Sequence, residues 1–107
     1  MKREQIAKNI VADLKELAAL TSDADGAQRV AWTPTFKKAT EWFAQKMQAA
    51  GAEVWSDAAG NSWAKFAGES KECIIIGSHL DSVPDGGWLD GALGVVAGMG
   101  IGAYGLA

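Results

Sequence analysis

One imidazole and two carboxylates fall within a short, glycine-rich stretch, Gly77-Ser78-His79-Leu80-Asp81-Ser82-Val83-Pro84-Asp85-Gly86-Gly87-Trp88-Leu89-Asp90-Gly91. His79 and Asp81 are two residues apart, so an extended backbone would point both side chains the same way. A carboxylate beside a histidine can accept the free ring N–H. That fixes the tautomer and makes the other nitrogen a better metal ligand. Asp90 follows a Pro/Gly-rich loop, which can curl back without helical or strand constraints. A carboxylate can bridge two cations, and imidazole with carboxylate suits zinc, manganese, cobalt or nickel better than calcium. Two such ions about 3.5–4 Å apart polarise a carbonyl and generate hydroxide at neutral pH. On spacing alone, His-x-Asp is equally a hydrogen-bonded pair near a strand end. His79 is the chain's sole histidine, which excludes a histidine-rich site or a triad within these residues.

The elements around this stretch follow from periodicity. Cys73-Ile74-Ile75-Ile76 does not alternate with polar residues, a pattern that predicts a strand buried on both faces, with Cys73 as a small buried hydrophobe. Ligand sites of open α/β sheets lie beyond such carboxyl ends. Ile6, Ile10, Leu14 and Leu17 form one apolar stripe, predicting a helix over roughly residues 3–20. Thr21–Gly26 reads as a solvated turn. Asp23 and Asp25 there resemble a calcium-loop fragment, but the remaining spaced carboxylates are missing. Thr33-Pro34 starts a second helix with a capping hydroxyl and a proline at the first position. Phe36, Ala39, Phe43, Met47 and Ala50 form its stripe, which Trp42 flanks, and Gly51 stops it. Residues 53–57 and 62–66 read as an antiparallel hairpin around Gly60-Asn61, and a helix is expected from Ala92. The order of elements predicts an α/β fold: part of an α/β/α layered catalytic domain with a mixed sheet.

The 107 residues allow one domain at most, and their formal charge of −3, with no run of Lys or Arg, argues against nucleic acid. A single cysteine rules out an internal disulfide, and no continuous apolar core follows Met1-Lys2-Arg3, so a cytoplasmic location is expected. Five tryptophans are scattered over four elements, which favours burial and strand faces over a stacking platform. From Gly91 to Ala107 the chain is uncharged, with Gly94, Gly98 and Gly102 spaced by four. Such a run can pair helices in a membrane, but it falls short of a span and has no flanking basic anchors, so a buried helix is expected.

The string Gly77–Pro84, then Gly86-Gly87 and Asp90-Gly91-Ala92-Leu93-Gly94-Val95, closely resembles the dinuclear-metal amidohydrolases. These include N-carbamoyl-L-amino-acid hydrolases, β-ureidopropionases and allantoate amidohydrolases, relatives of zinc aminoacylases and carboxypeptidases. The short interval from Asp81 to Asp90 resembles the amidohydrolase branch. Arg29 followed by Trp32-Thr33-Pro34, and Asp57-Ala58-Ala59-Gly60-Asn61, are similar to it as well, so the resemblance spans about residues 2–99. It implies that His79 ligates one metal, Asp90 bridges two divalent ions (Zn, Mn, Co or Ni), and Asp81 orients His79. It also implies a non-proline cis peptide at Asp90-Gly91, and it assigns Arg29 no role. The implied reaction is hydrolysis of a linear C–N bond in a small carbamoyl or ureido substrate by a homodimeric enzyme. A related metallopeptidase or aminoacylase, or a non-catalytic fragment, is the alternative.

Departures from the pattern bound these expectations. The Glu-Glu pair, two later histidines and a dimerisation domain of the resembled enzymes are not among these residues, and the resemblance fades after Met99. Residues 1–107 are therefore expected to be the N-terminal part of a metal-binding catalytic domain, from a truncated or frame-shifted reading of a longer enzyme, and inactive alone.

Overall fold

Three helices and two short hairpins make up the structure, a computed structural model that describes residues 1–105. Helix α1 spans Arg3–Thr21 and buries Leu14 and Leu17, the inner end of the expected stripe, while Ile6 and Ile10 are half-buried. It gives way to a tight hairpin, β1 (Ser22–Asp23) and β2 (Gly26–Ala27), where a solvated turn was expected; both aspartates of that turn are exposed.

Helix α2 spans Pro34–Ala49 and begins as its residues dictate. Thr33 Oγ1 accepts the Phe36 N–H at 3.3 Å, and Pro34 occupies the first turn. Gly51, at φ +94°, takes the chain out of the helix. Ala39, Phe43 and Met47 are buried as the stripe requires, whereas Ala50 is exposed and Trp42 belongs to the core. The Trp42 indole N–H donates to Glu16 Oε1 at 2.8 Å, which gives its one polar atom a partner at the core's edge.

The hairpin β3 (Glu53–Ser56) and β4 (Ser62–Lys65) forms in the expected place, pairing Trp55 with Trp63 and Val54 with Ala64. The two indoles stack with centroids 6.0 Å apart and planes 6° from parallel. Asp57 closes the turn by accepting from the backbone N–H groups of Ala59 and Asn61, the Asn61 amide and the Trp63 indole, at 2.9–3.0 Å. These donors, led by Trp63, pull its carboxyl down from 3.8 to about 2.

Helix α3 (Ala92–Gly100) packs on α1 and continues as a π-helical turn over Ile101–Gly105. Leu14, Leu17, Ala39, Trp42, Phe43, Met47, Leu80, Ala92, Val96 and Met99 form one core that joins the three helices. The Tyr104 hydroxyl donates to Asp13 Oδ2 at 2.7 Å, and Lys46 Nζ reaches Asp13 at 3.1 Å and Glu16 at 3.3 Å. Burial, reinforced by Asp13, pushes the Tyr104 phenol up. The glycine-rich run is thus helical as far as Gly105, burying Ala92, Val96, Met99 and Gly100 but leaving Ile101 and Gly105 exposed; its last two residues, Leu106 and Ala107, lie outside the described residues. No helix among the described residues is long and apolar enough to cross a membrane.

The largest departure from expectation lies at residues 73–76, which form no strand. Ile74, Ile75 and Ile76 are 93%, 74% and 53% exposed, and the Cys73 thiol is exposed as well. A strand exists only where its N–H and C=O groups meet a neighbour. Among the described residues the only sheets are the two antiparallel hairpins, and neither pairs with this segment. One side of the segment is nevertheless fitted to α3. A Cβ on Gly94 would come within 2.7 Å of Ser78 Cβ, and one on Gly98 within 3.0 Å of Ile76 Cγ2, so the two small residues admit the chain against the helix. The tryptophans also divide. Trp42 is buried, but Trp32 is 75% exposed and Trp55 and Trp88 are substantially so, so burial does not account for all five.

Candidate active site

The segment Gly77–Gly91 runs along the amino end of α3, and the structure brings His79, Asp81 and Asp90 together there. His79 Nδ1 lies 3.0 Å from the Asp81 carbonyl oxygen and 3.1 Å from Asp81 Oδ1. Both partners are acceptors, so in the neutral ring Nδ1 carries the proton and Nε2 keeps its lone pair. Nε2 faces Asp90 Oδ2 at 3.8 Å, too far for a hydrogen bond. Two ligands on one tetrahedral zinc, each about 2.1 Å from it, stand about 3.4 Å apart, so the Nε2–Oδ2 separation and the imidazole–carboxylate donor set fit a divalent cation. All three side chains are open to solvent, at 52%, 46% and 80% for His79, Asp81 and Asp90.

Gly91 makes the turn that returns Asp90 to His79. Its φ is +70° and ψ −49°, and a Cβ there would fall 2.5 Å from both Cε1 and Nδ1 of the His79 ring. The Asp90-Gly91 peptide is trans, as is every other among the described residues, which corrects the expected cis bond. The physical reason is that glycine enters positive φ at little cost, so the reversal is made in the dihedral of Gly91.

What supports this segment from below escaped the sequence reading. The loop is stitched to the residues after α1: Ala27 and Gly86 exchange backbone hydrogen bonds at 2.8 and 3.0 Å, and the Ser82 N–H donates to the Arg29 carbonyl at 2.8 Å. The Arg29 N–H donates to Ser82 Oγ at 3.0 Å, and Arg29 Nε donates to the Leu80 carbonyl at 2.6 Å. Arg29 is fully buried. Desolvation pushes its guanidinium pKa down, while the charges of Asp81 and Asp90 oppose that shift. An arginine in a polar stretch reads as surface, so only its place before Trp32-Thr33-Pro34, in the stretch that carries the resemblance, could have drawn attention to it.

A second acidic group lies beside the loop. The carboxylates of Asp23, Asp25 and Asp85 lie within 4.8 Å of one another, all exposed. The Gln28 amide already spans them, donating to Asp23 at 3.0 Å and Asp85 at 2.7 Å, and the first of these holds the Asp23 carboxyl below its usual value.

Comparison with known proteins gives this arrangement a class. No protein-family model matches the chain. It is 36% identical over 95 residues to the N-carbamoyl-L-amino-acid amidohydrolase of Paenarthrobacter aurescens, covering 87% of this chain and 23% of that protein. It is 33% identical over 99 residues to a probable allantoate deiminase of Oryza sativa subsp. japonica, covering 91% of this chain and 20% of that protein. A hydantoinase/carbamoylase family amidase from Burkholderia ambifaria superposes with a TM-score of 0.84 at 34% identity, over 89% of this chain and 24% of that one. What the chain is similar to is therefore a set of amidohydrolases. More particularly, the chain is a homologue, over most of its own length, of the carbamoylase and allantoate amidohydrolases, and it spans about a quarter or less of theirs.

Proposed function

We propose that this chain is the N-terminal part of a metal-dependent amidohydrolase that cleaves linear, non-peptide C–N bonds of carbamoyl, ureido or allantoate-type substrates. The observation that carries the reading is the His79 imidazole, held at Nδ1 by Asp81 with Nε2 turned toward Asp90 across 3.8 Å. In this reading His79 and Asp90 are metal ligands and Asp81 orients His79. A divalent cation bound there, paired with a second in the complete enzyme, would polarise the scissile carbonyl and supply hydroxide at neutral pH. The residues of this chain then have three tasks. Asp81 accepts the hydrogen bond of the Nδ1–H and keeps Nε2 free. Asp90 offers an oxygen on the facing side. Gly91 brings that oxygen round without a side chain that would displace the ring.

The layered α/β/α architecture belongs to the same proposal. Ile74–Ile76, fitted to α3 through Gly98, would be a strand of a larger mixed sheet once flanked by neighbours. The complete enzyme would be a homodimer, and the free Cys73 thiol suits a reducing cytoplasm.

Calorimetric titration of the Cys73→Ser chain with zinc tests the site; that background removes an exposed thiol which would bind zinc independently. His79→Ala and Asp90→Ala should each weaken binding at least about tenfold, the scale expected when a zinc site loses support. Unchanged affinity in either variant rejects the assignment. With zinc or manganese added, the 107-residue chain should show no substantial hydrolysis of N-carbamoyl amino acids or allantoate, since it supplies one imidazole and no nominated general base. Measurable turnover would overturn its reading as an incomplete site.

A further inference from the structure

We infer that Arg29 is a positioning residue for the His79–Asp81 pair, an inference that rests on the reading of those residues given above. A charged side chain with 0% exposure needs a reason, because desolvating it is costly. Its contacts supply one. Nε donates to the carbonyl of Leu80, the residue between His79 and Asp81, at 2.6 Å. The Arg29 backbone exchanges hydrogen bonds with Ser82, the residue after Asp81: its N–H with Ser82 Oγ at 3.0 Å, its carbonyl with the Ser82 N–H at 2.8 Å. Asp81 is therefore pinned on both sides by one residue.

That pinning decides which way Asp81 faces. Its carbonyl and its carboxylate both meet His79 Nδ1, at 3.0 and 3.1 Å, and a twist of the Leu80 peptide would withdraw at least one of them. The anchor itself is fixed. Arg29 Nη1 reaches Thr21 Oγ1 at 3.5 Å, and that hydroxyl donates to the Leu17 carbonyl at 2.7 Å, tying the guanidinium to the last turn of α1. Stability alone explains the arrangement poorly, because Nη2 is buried and finds no hydrogen-bond partner among the described residues. A buried apolar side chain of similar length would fill the space without that cost. What it could not do is hold the Leu80 carbonyl.

The chain's single histidine makes the test direct, since a long-range proton–nitrogen spectrum of the metal-free protein contains one imidazole. The wild-type spectrum should show His79 protonated at Nδ1. Arg29→Met should shift the tautomer ratio toward Nε2–H by about fivefold or more, because the Asp81 acceptors that select Nδ1–H are no longer held. Its zinc affinity in the Cys73→Ser background should fall about 10–100-fold. A folded Arg29→Met chain with the wild-type tautomer ratio overturns the inference. If Arg29→Met does not fold, Arg29→Lys replaces it. An ammonium cannot serve both Leu80 and Thr21 from one plane, so the ratio must move in the same direction, and an unchanged ratio is again refuting. The two readings fail separately. Absence of zinc binding in a wild-type chain that shows the Nδ1–H tautomer removes the metal assignment and leaves Arg29's role intact. An unmoved tautomer in the variant removes Arg29's role alone.

Discussion

Replacing Gly91 by alanine attacks the site at its tightest point, and the loss can be worked from the coordinates. At φ +70° and ψ −49° an L-residue sits in a sparsely populated region, at a cost of about 1–3 kcal/mol. The new Cβ would press on the His79 carbonyl oxygen and stand 2.5 Å from Cε1 and Nδ1 of its ring, against about 3.5–4.0 Å for an ordinary contact, so His79, backbone and ring together, must retreat by about 1 Å. Such a shift takes Nδ1 out of hydrogen-bond range of Asp81, now 3.1 Å away, and forfeits about 1 kcal/mol more. The sum is about 2–4 kcal/mol, a fall in Tm on the order of 10–20 °C for a domain this size. Urea unfolding followed by tryptophan fluorescence measures it, with Gly87→Ala as control. A Cβ on Gly87 meets nothing within 4 Å, its φ is not positive, and it carries the same gain from a stiffer unfolded chain. Gly91→Ala unfolding within about 0.5 kcal/mol of Gly87→Ala, with the His79 imidazole spectrum unmoved, would refute the reasoning.

Two other outcomes follow from exposed features. Asp57 has its folded pKa lowered from 3.8 to about 2, so its contribution to the β3–β4 turn is complete above about pH 4 and is lost as the pH falls toward 2. Asp57→Asn should therefore flatten the acid limb of the Trp55–Trp63 circular-dichroism signal, and an acid limb identical to wild type would contradict the assignment. Ile75→Lys places a charge at a position already 74% exposed on an unpaired extended segment, so it should change stability by less than about 0.5 kcal/mol and suppress self-association in light scattering. Aggregation at the wild-type rate would show that the segment is not the sticky surface.

Elements that depend on near neighbours in sequence were readable from it. The threonine–proline start of α2, its glycine stop and the Asp57–Asn61 turn all involve residues within a few positions of one another, so residue type and spacing carry nearly all the information. The segment Cys73–Ile76 shows the opposite case. Its composition is that of a buried strand, but burial belongs to the neighbours as much as to the strand, and the described residues provide α3 on one side and no strand to pair with. The candidate site divides in the same way. His79, Asp81 and Asp90 announced themselves by type and interval. Arg29 did not, because its partners Leu80 and Ser82 lie some fifty positions away and a charge is ordinarily a surface residue. The turn at Gly91 was expected in the right place but with the wrong device, since φ is invisible in a sequence.

The distance along the chain between Arg29 and Leu80 also sets an order of assembly. The β3–β4 turn closes a handful of residues and can form within about 1–10 μs. The joining of Ala27 to Gly86 and of Arg29 to Leu80 must first close loops that contain all of α2 and that hairpin, and this entropy is spent before any contact rewards it. In pulse-labelled hydrogen exchange during refolding, the Ser82 and Gly86 amides should therefore gain protection after those of β3 and β4. The geometry of the candidate site would be the last thing this chain acquires.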